Sequence, residues 1–415
     1  MWETLRSAWR IKDLRKKLIY TFGLLLLFRL VGVIPVPGID PDVVRNAVSN
    51  FDLLGFMNNM TGGSLERMTV MAMGITPYIN ASIIMQLLTV AIPALERMQK
   101  EGEEGRKKLA QWSRYMTVVL AFIQAVGMVY AMRASTNGSW TSYIIIGLSM
   151  AAGTSLAMWI GERITEDGIG NGISLLIFAG IVSRLFTWSI AGVQNVFNGS
   201  TSWITILLVL AGGLAMIVAV TFVDMGVRQV PMQYASRIRG HKTYGGKFTQ
   251  YMPMKVNSTG VLPLIFAFSI LQFPGTILAF WPTSGLSIWW QGFQNGIPYQ
   301  VVLALMIAGF TFFYTSISFN PQEISENLQK NGGIIPGIRP GKSTKDYLSR
   351  ISNRLTLFGA LFLAVLATLP TLLTSFTGMS LPFAASSLLI AVSVAIETTR
   401  QLESQMQMRH HKGFL

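Results

Sequence analysis

Gly74-Ile-Thr-Pro77-Tyr-Ile79-Asn-Ala81 is echoed further along the chain by Gly260-Val-Leu-Pro263-Leu-Ile265-Phe-Ala267, with four identities in eight positions. Each stretch opens an apolar segment. Working outward from the two, ten such segments can be marked, roughly at 17–34, 74–95, 112–132, 143–161, 171–190, 203–223, 258–280, 299–319, 355–374 and 382–396. Most match the ~20 residues that an α-helix needs to cross ~30 Å of hydrocarbon. The echoing stretches open the second and the seventh segments, so each sits second in a group of five. Because five is odd, two related groups run through the bilayer in opposite directions, the pattern of an inverted repeat. A match this short also arises by chance, and the sequence alone leaves both readings open. The expected organisation is an N-terminal half over 1–200, a C-terminal half over 201–398 and a tail over 399–415.

Charge orients this map. Of 33 Lys and Arg residues, 28 fall on one side; the exceptions are Arg45, Arg67, Arg133 and Arg184 in the opposite loops and Arg29 within the first segment. By the positive-inside rule the rich side is cytosolic, which puts both termini there. The first segment follows a basic stretch but is long enough to span and has no small-residue cleavage pattern, so it is expected to remain as a helix. A chain 51% hydrophobic and only 13% charged is a polytopic membrane protein. The fold class expected is all-α. Two basic cytosolic loops, 224–257 and 320–354, are longer than orientation requires and suggest docking surfaces for acidic or phosphate-bearing partners, anionic lipid included.

Chemistry is nearly absent. The chain has no cysteine and three histidines, His241, His410 and His411, all in cytosolic segments, so no metal site, cofactor or redox chemistry is expected. Gly341-Lys342-Ser343 resembles the end of a phosphate loop, but proline occupies position 336, where the first glycine belongs. No paired carboxylates lie inside the segments. The chain is expected not to be an enzyme. Ion-coupled transporters keep acids or histidines within the membrane, and here the clear mid-segment charge is Arg29, read as snorkelling to the outer interface. An uncoupled pore, an uncoupled transporter of a small solute and a membrane scaffold stay open. Residues 51–73, apolar but broken by Asn58, Asn59, Gly62, Gly63, Glu66 and Arg67, read from composition as an external amphipathic loop, with a short re-entrant element as the alternative.

Five longer stretches are specific: Ile34-Pro-Val-Pro-Gly-Ile-Asp40, Ala72-Met-Gly-Ile-Thr-Pro-Tyr-Ile-Asn-Ala-Ser-Ile-Ile84, Met158-Trp-Ile-Gly-Glu-Arg-Ile-Thr-Glu-Asp-Gly-Ile-Gly-Asn-Gly-Ile-Ser174, Pro253-Met-Lys-Val-Asn257 and Ile335-Pro-Gly-Ile-Arg-Pro-Gly341. With these the chain closely resembles the SecY family, the central subunit of the bacterial protein-conducting channel. The resemblance implies ten spans in two inverted five-helix halves, forming a clamshell in the plasma membrane around a pore for unfolded secretory polypeptides. It implies a re-entrant plug helix over Leu53 to Arg67, including Leu54, Phe56, Met57, Met60, Gly62 and Gly63. It implies a pore ring at Ile75, Ile79, Ile173, Ile177, Ile265 and Ile390, and polar lateral-gate positions at Gln86, Gln124 and Asn257. Arg237, Arg239, Lys242 and Arg339 would dock the SecA motor ATPase or the ribosome. Small SecE-like and SecG-like membrane subunits, signal peptides and nascent or precursor chains are the other partners implied. The chain departs from the family pattern at His241-Lys242, where two arginines are common, and at Thr76, Ser258 and Thr259, which make the gate region more polar.

A ring of isoleucines suits such a pore on physical grounds. Bulky apolar side chains leave a constriction that water wets poorly, so ions meet a barrier even where the hole is not sterically shut. The same side chains offer a passing polypeptide no directional hydrogen bonds. Sideways escape suits it too: a dozen apolar residues at about −0.3 to −0.6 kcal/mol each favour lipid by several kcal/mol.

Overall fold

The structure, a computed structural model, describes residues 2–50, 58, 61–132, 134, 138–197, 203–234, 237–239, 242–244, 249–257, 260–278, 284–294, 296–377 and 385–410. In chain order the elements are α1 (Trp2–Arg10), α2 (Lys12–Val31), α3 (Pro41–Asn50), α4 (Thr76–Ala91), α5 (Pro93–Lys100), α6 (Glu103–Ala131), α7 (Trp140–Asp167), α8 (Gly172–Phe197) and α9 (Trp203–Met225). There follow β1 (Val227–Tyr234), β2 (Arg237–Arg239), β3 (Lys242–Tyr244), β4 (Thr249–Lys255), α10 (Leu262–Leu278), α11 (Gly285–Gln294), α12 (Ile297–Ser318), α13 (Pro321–Lys330), β5 (Gly333–Ile334), α14 (Lys342–Thr377) and α15 (Ala385–His410).

Each apolar segment marked in the sequence falls on a helix: α2, α4, α6 to α10, α12, α14 and α15. Among the described residues Glu103–Tyr130, Trp140–Asp167, Ile297–Lys330 and Lys342–Leu369 are long and apolar enough to cross a membrane, and α4 with α5 qualifies as a pair bent by 101°. Pro93 causes that bend. It holds Ile92 in the extended region (φ −109°, ψ 111°), so α4 stops and α5 restarts in a new direction. Large apolar side chains such as Phe22, Phe186, Phe222, Ile297 and Leu305 are exposed along these helices, as a hydrocarbon surround permits.

One compact unit comprises 1–213, 268–297 and 379–415. Within it α7 packs on α6, α8 and α2, α4 packs on α6, and α15 packs on α8 and α1. Its core gathers Val36, Val44, Leu65, Met68, Ala72, Met73, Ala125, Val129, Tyr143, Ile146 and Met150, so residues before α4 interleave with side chains of α6 and α7. The second unit comprises 214–267 and 298–378. Here β1 pairs antiparallel with β4 (Val227 opposite Lys255) and, at its far end, with β5 (Gln233 opposite Ile334). The two long loops therefore share one sheet. Val230, Met232, Met254, Leu328, Ile335 and Leu348 close a small core beneath it. Asn320 caps α13 by accepting from Gln322 N–H (3.2 Å) and Glu323 N–H (3.4 Å). Neither the sheet nor the β2–β3 pair was expected from the sequence, because β2, β3 and β5 are only two or three residues long and a proline interrupts both β1 (Pro231) and β4 (Pro253).

Candidate functional site

The connector between α2 and α4 is not an ordinary external loop. From Thr61 to Ile75 it is buried except at Glu66, Val70 and Arg67. It is tied at one edge to residues 34–36: Val36 N–H donates to the Met68 carbonyl (3.0 Å) and Val70 N–H to the Ile34 carbonyl (2.9 Å). On its other side Gly153 of α7 lets the Val70 carbonyl pack directly on the helix backbone, where any Cβ would collide. Burial of an irregular backbone requires such partners for its polar groups, and here they are supplied.

Four arginines gather at this connector. Gly62 and Gly63 both have positive φ (67° and 85°), and a Cβ on Gly62 would strike the guanidinium of Arg29. The Arg29 Nη2 donates to the carbonyls of Ala179 (2.7 Å) and Gly180 (3.3 Å) on α8. Arg29 therefore points into the protein, correcting the expectation that it snorkels outward; backbone carbonyls and the glycine turn make an inward site for its donors. Arg67 and Arg184 flank Gly63, their guanidinium nitrogens 3.3 and 3.4 Å from where its Cβ would lie. The fourth is Arg45 on α3.

Glu66 is where the ion pairs of this cluster end, among the described residues. Its carboxylate accepts from Arg184 (2.9 Å) and from Arg45 (3.2 Å). Asn58 locks it further: the Asn58 Nδ2 donates to the Glu66 carboxylate (3.1 Å), while the Asn58 Oδ1 accepts from the Glu66 N–H (3.0 Å). Burial alone raises the carboxyl's pKa, but the charge of Arg184 and hydrogen bonds from Asn58, Arg45 and Arg184 outweigh it and hold the group below its ordinary range. Sequence reading listed Glu66 and these arginines without joining them, since Arg45 and Arg184 sit on helices far apart in the chain.

The other expected site residues fall as follows. Leu53, Leu54, Phe56, Met57 and Met60 lie outside the described residues, whereas Gly62, Gly63 and Arg67 belong to the cluster above. Ile75 is the N-cap residue of α4 and its carbonyl accepts from Ile79 N–H (3.1 Å), which places the two one turn apart. Both are buried, as are Ile177 and Ile390, while Ile173 is half-buried. Ile173 and Ile177 stand one turn apart at the start of α8, the helix that packs on α15, which carries Ile390. Ile265 is buried in α10 and belongs to the second unit.

Gln86 is exposed on α4 and Gln124 buried on α6, two helices that pack together. Asn257 is buried in the second unit, its Nδ2 donating to Asp224 Oδ1 (3.3 Å) at the end of α9. Arg237 and Arg239 lie on β2 and Lys242 on β3, with Arg239 directly opposite Lys242. Arg339 is exposed on a loop fixed from below, where the Thr344 Oγ1 donates to its carbonyl (2.9 Å). No group of three or more metal-ligating side chains occurs among the described residues.

Comparison with known proteins places this arrangement. The family model for SecY matches residues 69–399. A protein translocase subunit SecY from Bacillus subtilis is 42% identical over 433 residues, covering all of both chains. That of Streptomyces scabiei is 41% identical over 433 residues, covering 98% of each. Among solved structures, one described as the structure of a protein conducting channel superposes with a TM-score of 0.67 over 94% of this chain and 92% of that chain, at 20% identity. Sec61 in the canine ribosome-channel complex gives 0.63 over the same shares, at 19% identity. The structural likeness carries the fold and the sequence likeness carries the kinship: this chain belongs to the SecY family.

Proposed function

We propose that the chain is the pore-forming subunit of a protein-conducting channel in a bacterial plasma membrane, passing unfolded polypeptides across and releasing apolar segments sideways into lipid. The observation that carries this reading is the buried, cross-tied connector ahead of α4, a stretch of irregular backbone held inside the helical body as a stopper is. On this reading ten spans form two inverted halves, 1–200 and 201–398, with both termini in the cytosol. Leu53 to Arg67 form the plug. Ile75, Ile79, Ile173, Ile177, Ile265 and Ile390 form the apolar waist, and Gln86, Gln124 and Asn257 the polar seam of the lateral gate.

On the same reading the driving force comes from partners. Curated relatives are translocase subunits, and solved neighbours include channels bound to ribosomes. Arg237, Arg239, Lys242 and Arg339 suit the phosphates of ribosomal RNA or the acidic side chains of a SecA-type motor, because a guanidinium presents a fork of donors. Small SecE-like and SecG-like subunits complete the assembly, and anionic lipid meets the basic inner face.

Deleting residues 53–67 and recording conductance in planar bilayers tests the proposal. A channel that has lost its stopper leaks ions. Unchanged conductance would point instead to a rocking transporter of small solutes.

A further inference from the structure

We infer that Glu66 is the latch of the stopper, a positioning residue whose single carboxylate pairs with Arg184 and Arg45 and so offsets the repulsion among four guanidinium groups that would otherwise push the connector out. The inference rests on reading residues 53–67 as the channel's plug, and adds what keeps that plug seated. Arg29 comes from α2, Arg45 from α3, Arg184 from α8 and Arg67 from the connector itself, so the charges that meet at Gly62-Gly63 and Glu66 tie three separate helices to one short segment. Both ion pairs found in this group end on Glu66. Its side chain is 20% exposed and that of Arg184 34%, so this pair is screened less than a surface pair, whereas Arg45 is largely exposed.

The asymmetry gives the device its character. Removing a carboxylate from such a group does more than lose two attractions, because it leaves like charges facing one another at short range. Seating is therefore conditional on one side chain, and an arriving polypeptide that draws Glu66 away from Arg184 releases the rest.

The test uses the channel with its membrane partners, reconstituted in planar bilayers. Glu66→Gln is expected to raise resting conductance about tenfold, the shift that corresponds to about 1.4 kcal/mol in a closed-to-open equilibrium. Glu66→Asp, which keeps the charge, stays near the parent. The decisive readout is the double substitution Glu66→Gln with Arg184→Gln: relief of repulsion lowers the leak below that of Glu66→Gln alone, whereas a merely structural role makes it worse. The deletion of 53–67 is run beside them. A tight deletion variant removes the plug reading itself; a leaking deletion variant beside a tight Glu66→Gln overturns the latch and leaves the plug. Should Glu66→Gln fail to insert, Arg184→Gln alone decides, a rise supporting the latch and a tight channel overturning it.

Discussion

The carbonyl oxygen of Val70 occupies the place where a side chain on Gly153 would begin. This contact seats the connector against α7, and it depends on the lack of a Cβ. Gly153→Ala is expected to push the connector off the helix and destabilise the fold by roughly 1–3 kcal/mol, the usual cost of overpacking. Bilayer conductance checks the first effect, and the thermal unfolding midpoint in detergent the second.

Gly62 is constrained twice, by φ of 67° and by the guanidinium of Arg29 beside it. Gly62→Ala should therefore cost more than the roughly 1 kcal/mol of a left-handed residue alone. Combining it with Arg29→Ala removes the collision but keeps the backbone strain. If the pair is no less harmful than the sum of its parts, Arg29 is not what Gly62 makes room for.

Acid on the outer face should loosen the connector. The Glu66 carboxyl is held below its ordinary value of 4.5, so its contribution is complete above that pH and is lost only as pH falls through the lower folded-state value. The charged groups around it are Arg29, Arg45, Arg67 and Arg184. Conductance is expected to be flat from neutral pH down to the ordinary carboxylate range and to climb only below it. In Glu66→Gln the climb should vanish; its persistence would assign the acid response to another group.

Arg339 is exposed and its loop is fixed by Thr344, so Arg339→Glu should leave the fold within about 0.5 kcal/mol of the parent. Partner-driven transport of a precursor into vesicles should fall about tenfold while resting conductance stays put. Equal transport by the two proteins would remove Arg339 from the docking surface.

The chain lacks cysteine, so Ile79→Cys introduces a single reporter. A precursor stalled in transit should crosslink there, and Ile390→Cys should capture it as well. Adducts at exposed Phe222→Cys but at neither isoleucine position would place the path outside the proposed waist.

The helices were legible because the apolar runs repeat at the length of a bilayer, and the matching stretches at Gly74 and Gly260 located two of them. The connector was harder. Gly62-Gly63 marked a turn, but nothing local shows that Asn58 reaches Glu66 with both ends of its amide or that Arg184 closes the pair from another helix. Arg29 was misjudged because position along a helix tells how deep a charge sits and not which way it points; the carbonyls of Ala179 and Gly180 decide that. Strand β5 escaped notice since two residues, Gly333 and Ile334, carry no pattern, and only the partner strand makes them a strand.

Because β5 closes against β1, the loop that bears Arg339 and the loop that bears Arg237 act as a yoke. On the proposed docking, a partner that grips either loop pulls on α9, α10, α12 and α14 together, so a thrust delivered at one point of the sheet reaches the roots of four helices instead of being spent in slack chain.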